Sequence, residues 1–425
     1  MTRSLYAASG VLLERILRET AAADALMDRF FRNEPGLGSK DRGLIAETVY
    51  GCLRHYRQLS AIAQSTDPSL IVAAFLALHG GYHARQLKDL GIARAEALVT
   101  AARTPHPSWS FGITASLPDW LAHRFQHELS EPEAHALGAA LLQPAPLDVR
   151  VNTLKTDREA LRAALLGAGH ELGPTPLSPW GLRRTWRAPL FQTPGFKAGH
   201  FEIQDEGSQL IAPLLEPRRG ERIVDYCAGA GGKTLHLGAL MSNGGTLYAC
   251  DTSQKRLDRL KERVVRAGLD NVRILTITGG TDTKLKRLHG KIDRVLVDAP
   301  CSGTGTLRRS PDVKWRLTEG RVRQLAQEAL QILIHASHLV RPGGRLVYAT
   351  CSLLKEENED VIQAFLDQTP SFNALATEDI LIRRGIGLAP SAQDRALRLW
   401  PHVHGTDGFF AQALEKRLET QTAST

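Results

Sequence analysis

The sequence is poor in cysteine and has no long apolar run. Its 425 residues include five cysteines, no two of them in a Cys-x-x-Cys spacing, which argues against a disulfide framework and against a zinc cluster. A sparse set of free thiols is typical of the reducing cytosol. No apolar stretch is long enough to span a bilayer, and Glu14 and Glu19 interrupt the apolar pattern near the N-terminus, so a signal peptide is not indicated. We expect a cytoplasmic protein that uses neither a metal nor a membrane.

Internal repeats and low-complexity segments are also missing, and 43% apolar with 23% charged residues is ordinary globular composition. A chain of this length predicts two or three domains. The formal net charge is +8 and the pI is about 9.3. Because Lys and Arg neutralise phosphates, this charge favours a polyanionic partner, although an ordinary basic surface explains it equally well.

The first part of the chain, residues 1–135, is predicted to be all-helical. Apolar residues recur at three- and four-residue spacing in YAASGVLLERIL and in GLIAETVYGCLRHYRQL, with Ser39 as a plausible N-cap of the second helix. A last helix is expected in LPDWLAHRFQHEL. Residues 145–205 have a different pattern of apolar and polar residues. In LDVRVNTL they alternate as in a strand, and DREALRAALLGAG indicates a helix that ends at glycine. Strand-like pieces follow from LFQTPGF to HFEIQD. This pattern predicts a small α+β module.

From residue 206 to residue 418 the pattern is that of an α/β domain. The strand candidates are RIVDYCA, TLYACD, VRILTI, RVLVDAP and RLVYATCS. Helical patterns separate them, notably SQKRLDRLKERVVRAG and the long run after Thr318. This alternation predicts a Rossmann-like parallel sheet covered by helices on both faces.

A glycine-rich loop, DYCAGAGGKT, follows the first of these strands. A P-loop would need glycine where Cys227 stands, and a dinucleotide fingerprint would need Gly or Ala where Thr234 stands, so both patterns fail. S-adenosylmethionine (SAM) remains, because it needs room beside glycine and an acid for its ribose hydroxyls. Asp251, at the end of TLYACD, can supply that acid, although an aspartate there can also simply cap the next helix.

Two cysteines and an acid follow the next strands. Asp298 and Cys301 lie in VLVDAPCSGTG, and Cys351 lies in RLVYATCS. Strand ends of a parallel sheet open on the ligand side, so these three side chains should converge beside the cofactor. Such a set suits attack on a cytosine ring: a thiolate adds to C6, C5 becomes nucleophilic enough to accept a methyl group, and an acid at N3 assists the addition. The alternative for any single cysteine is inert packing in the core.

At this point the sequence resembles the Sun/Nop-type RNA cytosine-C5 methyltransferases. The resemblance rests on DYCAGAGGK, DAPCSGTG, RRSPDVKW and TCS, with QDEGSQL and HGTDGFF as further matches. LGSKDRGLIAETVYGCLR is similar to the helical NusB-like domain found at the N-terminus of bacterial members. The resemblance implies RNA as the substrate, with small-subunit ribosomal RNA indicated by the helical domain.

The resemblance also implies residue roles. Cys351 would be the nucleophile, Cys301 the residue that helps to release the product, and Asp298 the acid beside the base and the methyl donor. Asp251 would bind the ribose of SAM. The SAM-contacting loop would comprise Cys227, Ala228, Gly229, Ala230, Gly231, Gly232 and Lys233.

The sequence departs from the family pattern in two places. The loop has Gly229 and Ala230 where Ala-Pro is usual, which makes it more flexible. A Gly-Asp that contacts adenine usually follows the third strand, whereas this chain has TITGGTDT. Asp282 is then a displaced candidate for the adenine contact.

Several basic and histidine residues have two interpretations. Arg308, Arg309, Lys314 and Trp315 follow DAPCSG, where phosphate contact and base stacking are a better explanation than a solvated loop. His335 and His338, three residues apart, indicate an ordinary helix face rather than a metal site. RNA docking and a solvated face are equally good explanations for the basic residues of the helical region, which are Arg32, Lys40, Arg42, Arg54 and Arg57.

Two rival functions remain open. In DNA cytosine methyltransferases the cysteine after proline is the nucleophile, which would give that role to Cys301, but the TCS motif argues against this class. A non-catalytic RNA-binding or termination factor would rely on the helical domain, but the retained acid and both cysteines argue against it.

Overall fold

The computed structural model describes residues 1–185, 188–280, 282–388 and 395–418. The chain folds into two compact units. The helical unit comprises residues 1–144 and 306–319, and the sheet unit comprises residues 145–305 and 320–425. The structure therefore groups the chain differently from the three predicted domains, because the small α+β module belongs to the sheet unit and a segment after Cys301 belongs to the helical unit.

The helical unit confirms the prediction of an all-helical N-terminal part. Its helices are α1 (Arg3–Arg18), α2 (Ala23–Asn33), α3 (Ser39–Arg54), α4 (Tyr56–Ala63), α5 (Pro68–Leu78), α6 (Ala84–Asp89), α7 (Ala95–Arg103), α8 (Phe111–Thr114), α9 (Asp119–Glu128) and α10 (Glu131–Leu141). They enclose a core of buried side chains such as Leu12, Ile45 and Val72.

The helix boundaries differ from the predicted ones at three places. The run predicted as one helix from Gly43 breaks at His55, and its N-cap is Gly38 rather than Ser39. A further helix, α10, carries the helical part past residue 135, and its N-cap Ser130 donates its backbone N–H to the carboxylate of Glu133 at 3.1 Å. That capping box, Ser-Glu-Pro-Glu, is a local signal that hydrophobic periodicity does not contain.

Within the described residues, no single helix has both the length and the apolarity to cross a membrane. The pair α4 and α5 reaches that length and composition only when the two are joined across a 99° bend. Its buried side chains belong to the core of the helical unit.

A small antiparallel sheet opens the sheet unit, with strand order β2-β3-β1-β4. Its elements are β1 (Leu147–Val151), α11 (Arg158–Gly167), β2 (Gly173–Pro174), β3 (Gly181–Arg184), α12 (Pro194–Lys197) and β4 (Phe201–Ile203). The prediction of a strand in LFQTPGF is wrong. Thr193 accepts a hydrogen bond from the backbone N–H of Phe196 and Pro194 occupies the first helical position, so this stretch begins a short helix.

The large sheet confirms the Rossmann-like α/β prediction. Its elements are α13 (Glu206–Gln209), β5 (Arg222–Asp225), α14 (Gly232–Leu240), β6 (Thr246–Asp251), α15 (Gln254–Ala267), β7 (Val272–Thr276), α16 (Thr283–Lys286), β8 (Ile292–Asp298), α17 (Val313–Arg316, in the helical unit), α18 (Glu319–Ser337), β9 (Val340–Thr350), α19 (Glu359–Gln368), β10 (Phe372–Ala374), α20 (Thr377–Arg383), β11 (Leu397–Leu399), α21 (Pro401–His404) and β12 (Phe409–Lys416). Short 3-10 helices cover Leu190–Gln192, Ala212–Leu215, Thr304–Thr306 and Lys355–Glu357.

The strand order places the ligand site. The order is β10-β12-β9-β8-β5-β6-β7, and β11 pairs with β12. Strands β7, β6, β5, β8 and β9 are parallel, while β12 is antiparallel to β9. The chain runs outwards from β5 in one direction and from β8 in the other, so the order reverses between these two strands. Ligands of open α/β sheets bind outside the carboxyl ends of the strands at such a point.

Candidate active site

Four neighbouring strands end at one edge of the sheet, and three of them deliver predicted site residues there. Asp225 ends β5, Asp251 ends β6, Asp298 ends β8, and Cys351 follows the last residue of β9. They face a cavity of about 500 Å³. The predicted residues that line it are Cys227, Ala228, Gly229, Ala230, Gly232, Lys233, Asp251, Asp298, Cys301 and Cys351. Alternation of strands and helices is thus sufficient to bring these residues together.

The glycine-rich loop between β5 and α14 is shaped by its close approach to α15. Gly231 has φ +91°, and a Cβ atom there would lie 2.0 Å from Cδ1 of Leu260. Gly231 does not line the cavity, so its contribution is to let the loop turn. Gly229, with φ +55°, has open space where a Cβ would be, so its conformation, rather than crowding, favours glycine.

Asp251 has a double role in this loop. Its Oδ2 accepts a hydrogen bond from the backbone N–H of Gly229 at 2.9 Å, and its Oδ1 accepts one from the N–H of Ser253 at 2.7 Å. The N-cap of α15 is Ser253 and not Asp251, so the helix-capping alternative does not describe this carboxylate, which lines the cavity. One acid thus joins the glycine loop to the end of β6.

Two arginines that the sequence did not single out hold the same loop. Arg150, a buried residue of β1, donates to the carbonyl of Gly232 at 2.8 Å, and Arg263 of α15 donates to the carbonyl of Ala230 at 2.6 Å. Glu202 in β4 pairs with Arg263 at 2.9 Å. The small antiparallel sheet therefore supports the loop, and no local motif marks these long-range contacts.

The two predicted cysteines are neighbours in space. Sγ of Cys301 and Sγ of Cys351 lie 3.5 Å apart. The hydrogen bond with Cys351 and burial raise the pKa of the Cys301 thiol well above its usual range. Cys301 therefore stays protonated at neutral pH and can donate its S–H to Cys351.

Lys233, predicted as a contact of the cofactor, lies beside the acid. Its Nζ is 2.7 Å from Oδ2 of Asp298. Burial disfavours the ammonium form, but the ion pair with Asp298 and the interaction with Cys351 outweigh burial, so the pKa of Lys233 is raised. The Lys233 ammonium thus lies beside the acid and interacts electrostatically with Cys351.

Asp225 is a further buried carboxylate at the cavity that the prediction did not include among the site residues. Its Oδ2 accepts from the hydroxyl of Thr234 at 2.7 Å, while its Oδ1 has no partner among the described residues. Burial raises the pKa of Asp225 to about 7. An uncompensated acceptor at the cavity wall fits a polar ligand.

The structure does not bring Asp282 to the cavity wall. Its carboxylate accepts hydrogen bonds from the N–H groups of Thr278 at 3.0 Å and Lys284 at 2.8 Å, which makes it the N-cap of α16. Gly279, Gly280 and His335 line this side instead. His335, interpreted from sequence as part of an ordinary helix face, leaves no room for a larger residue at Gly280, since a Cβ there would lie 2.0 Å from its Cγ.

The interpretation of the RRSPDVKW segment as an RNA contact is wrong for Lys314. Lys314 is buried, and its Nζ donates to the carbonyl of Arg54 at 2.8 Å. Trp315 donates its indole N–H to the carbonyl of Leu53 at 2.7 Å, and Arg54 is itself buried and donates to the carbonyl of Arg308 at 3.0 Å. These residues pack inside the helical unit.

Among the described residues of the whole chain, no cluster of three potential metal ligands occurs.

Comparison with known proteins identifies the family. The model of the 16S rRNA methyltransferase RsmB/F family matches residues 212–415, and a model of its ferredoxin-like domain matches residues 117–185. A probable ribosomal RNA small subunit methyltransferase B from Synechocystis is 31% identical over 96% of this chain and 98% of its own length. A methyltransferase homologue from Pyrococcus horikoshii is 30% identical, with a TM-score of 0.60 over 73% of this chain and all of its own.

A further solved structure shares the fold. It is NSun6 from Pyrococcus horikoshii with SFG, an analogue of SAM, at 23% identity and a TM-score of 0.61 over 70% of this chain and 98% of its own. The cavity at the strand ends, the glycine loop that lines it and the carboxylate of Asp251 on its wall fit SAM. The chain belongs to the 16S rRNA methyltransferase RsmB/F family of SAM-dependent methyltransferases.

Proposed function

We propose that this protein methylates carbon 5 of a cytosine in small-subunit ribosomal RNA through a covalent bond between Cys351 and C6 of the base. The observation that carries the proposal is the pair of thiols 3.5 Å apart in the cofactor cavity, next to the Lys233–Asp298 ion pair. The Synechocystis relative is a probable ribosomal RNA small subunit methyltransferase and the matching family model is that of 16S rRNA methyltransferases, which supports the substrate class.

The properties of the two thiols support different roles for them. Cys301 remains a thiol because its contact with Cys351 and its burial raise its pKa. Lys233 interacts electrostatically with Cys351, and a nearby cation is what a thiolate nucleophile requires. In the proposed reaction Cys351 bonds to C6, the C5 proton later leaves to solvent, and the S–H of Cys301 donates to the sulfur of Cys351 as that thiolate is eliminated. Asp298, hydrogen-bonded to Lys233, assists the addition at N3 when it carries a proton that it can donate to that nitrogen.

The residues that would hold SAM are those of the glycine loop, Cys227 to Lys233, with Asp251 on the ribose. The cofactor supplies the methyl group when bound. The chain's own contribution is the position of the loop, which the backbone carbonyls of Ala230 and Gly232 fix through Arg263 and Arg150.

RNA docking by the helical unit is part of the same proposal. Arg32 and Lys40 are exposed there, whereas Arg57 pairs with Asp119 at 2.6 Å and Arg54 is buried. Phosphate contacts are therefore proposed for the two exposed residues. Because each contact releases counterions, RNA affinity should fall steeply with salt.

RNA in which the target cytosine carries fluorine at C5 tests the mechanism, because fluorine cannot leave as a proton does. Wild type and Cys301→Ala should both form a protein–RNA species that survives denaturing electrophoresis, and Cys351→Ala should not. Cys52→Ala, which removes a buried thiol of the helical unit, is the matched control and should behave as wild type. An adduct in Cys351→Ala would assign the nucleophile to Cys301, and wild-type trapping on DNA but not on RNA would favour the DNA class.

A further inference from the structure

Each of the two site cysteines is followed by a serine, and one carboxylate accepts hydrogen bonds from both serines. The hydroxyl groups of Ser302 and Ser352 each donate to Oε2 of Glu357 at 2.5 Å. The backbone N–H of Ser302 donates to Oε1 of the same residue at 2.7 Å. Glu357 thus connects the loop after β8, which carries Cys301, with the end of β9, which carries Cys351.

The bonds around this carboxylate continue between the same two loops. The serine hydroxyls lie 3.2 Å apart, and Oγ1 of Thr304 lies 3.2 Å from that of Ser352. Thr304 accepts the backbone N–H of Leu353 at 2.8 Å, and the N–H of Gly305 donates to the carbonyl of Cys351 at 2.9 Å. The two cysteine motifs are therefore joined by side chains and by backbone, and Glu357 accepts three of these bonds.

The carbonyl of Glu357 is fixed as well. Tyr348 of β9 donates its hydroxyl to that oxygen at 2.5 Å. The next residue, Asn358, accepts a hydrogen bond from Thr350 at 2.5 Å and donates to the carbonyl of Ser352 at 3.0 Å. Glu357 is consequently held from β9 at its main chain while its side chain holds the opposite loop.

Burial of this carboxylate carries an electrostatic cost. The side chain of Glu357 has no exposed surface, and burial raises its pKa, although the hydrogen bonds from Ser302 and Ser352 oppose that rise. Filling the same space with an apolar residue would avoid the cost of desolvation. A buried acid that accepts hydrogen bonds from both serines is therefore better explained by holding the two loops in position than by filling space in the core.

We propose that Glu357 is a positioning residue that sets the separation of the Cys301 and Cys351 thiols by holding Ser302 and Ser352 on one carboxylate. What the thiols then do rests on the function proposed above, whereas their separation does not. Glu357 itself does not line the cavity, so its effect reaches the reaction through the two loops.

The thiol separation can be measured without RNA. Phenylarsine oxide forms two As–S bonds with a pair of adjacent thiols and releases water, so it reports whether the two sulfurs can be bridged. Wild type should bridge Cys301 and Cys351, and Cys301→Ala should not. Glu357→Gln keeps the size of the side chain but replaces one acceptor oxygen by an N–H donor. We expect its bridging rate to fall roughly 10- to 100-fold, the effect of displacing reacting groups by about 1 Å.

The same variants are then tested on 5-fluorocytosine RNA. Glu357→Gln should form the adduct more slowly by a similar factor while its affinities for RNA and SAM stay at the wild-type values. Asp360→Asn, which neutralises an exposed acid in the first turn of α19, is the matched control and should equal wild type in every assay. Normal bridging by Glu357→Gln would overturn the proposal. Failure of wild type to trap RNA, with bridging intact, would instead refute the proposed function alone.

A second variant covers the case in which Glu357→Gln does not fold, which loss of SAM binding would reveal. Ser302→Ala combined with Ser352→Ala removes both hydroxyl donors and leaves Glu357 and the N–H of Ser302 in place. The proposal requires slower bridging in this variant too. An unchanged bridging rate in a double variant that binds SAM normally would overturn it.

Discussion

Asp225 should make the stability of the protein fall as pH rises from about 4 to about 7. The carboxylate is 1% exposed at the end of β5, and its Oδ1 has no partner among the described residues. Burial raises its pKa to about 7, and Asp298 and Asp251 add to the rise, while the hydrogen bond from Thr234 and the charge of Lys233 oppose it.

The sign and the size follow from linkage. An aspartate in the unfolded chain has a pKa of about 3.9, so between about pH 4 and pH 7 the folded state keeps a proton that the unfolded state has lost. The free energy of unfolding therefore decreases as pH rises through that window and is flat above it. At about 1.4 kcal/mol per pH unit, the change contributed by Asp225 is about 4 kcal/mol.

Asp225→Asn removes the titration and keeps the shape, and its Oδ1 can still accept from Thr234. We expect equal stability of variant and wild type near pH 4 and an advantage for the variant that grows to about 4 kcal/mol at pH 7. Urea unfolding of both proteins from pH 4 to pH 8, compared at each pH, measures the difference.

Asp293→Asn provides the opposite sign as a control. Asp293 accepts the N–H of Arg222 and pairs with Arg341 at 2.7 Å, and although burial raises its pKa, these contacts lower it overall. Its stabilisation is present above the ordinary pKa and is lost on acidification, so this variant should be less stable at pH 7 and approach wild type at low pH. A stability difference for Asp225→Asn that does not change with pH would refute the reasoning.

Three further outcomes are expected. Asp251→Ala should weaken SAM binding by roughly 1.5–3 kcal/mol through lost charge-assisted hydrogen bonds, and wild-type affinity in calorimetry would remove Asp251 from the site. Arg183→Met leaves the buried carboxylates of Asp148 and Glu206 without their cation, which should destabilise the protein by about 3–5 kcal/mol at pH 7. Urea unfolding of Arg183→Met should show a smaller loss of stability at pH 4 than at pH 7. An equal loss of stability at the two pH values would contradict this expectation. Lys314→Met should leave the salt dependence of RNA affinity unchanged. If the slope of log affinity against log salt concentration decreased in magnitude by about one, Lys314 would contact a phosphate after all.

The site residues that lie at the ends of strands could be predicted from the sequence. Asp251, Asp298 and Cys351 each close a run of apolar residues, and in a parallel sheet such positions share one edge. Their convergence at one cavity follows from alternation of strands and helices alone. The helical N-terminal part was predictable for a similar reason, since its periodicity is local.

Contacts between distant segments were not predictable. Arg150 reaches Gly232 across 82 positions, and Glu357 reaches Ser302 across 55, and neither stands in a recognisable local pattern. The prediction that Asp282 contacts adenine was wrong for the opposite reason. It rested on a displaced match to the family pattern, whereas a contact within the local sequence determines where this carboxylate lies. An aspartate two residues before the N–H of Lys284 caps a helix, and that local bond occupies the carboxylate.

The segment after Cys301 changes how the helical unit must be understood. Residues 306–319 follow the loop that carries Cys301 in the chain, yet they are part of the helical unit. There the N–H of Ala23 donates to Asp312 at 3.2 Å, and the ammonium of Lys314 donates to the carbonyl of Arg54. Burial and the charge of Arg54 lower the pKa of Lys314 well below its usual range. Burial therefore disfavours the charged form of Lys314, and this basic residue of RRSPDVKW serves packing.

A truncation that removes residues 1–135 would therefore do more than delete the proposed RNA-docking surface. It would expose Trp315 and leave Lys314 without the carbonyl of Arg54, so the chain next to Cys301 would lose its fixed conformation. Loss of activity in such a truncation cannot be assigned to RNA binding. The two effects separate only in the full chain, where Arg32 and Lys40 are exposed and can be replaced without disturbing the segment. Surface substitutions at Arg32 and Lys40 would test the proposed docking alone, whereas substitutions at Lys314 act on the conformation of the segment.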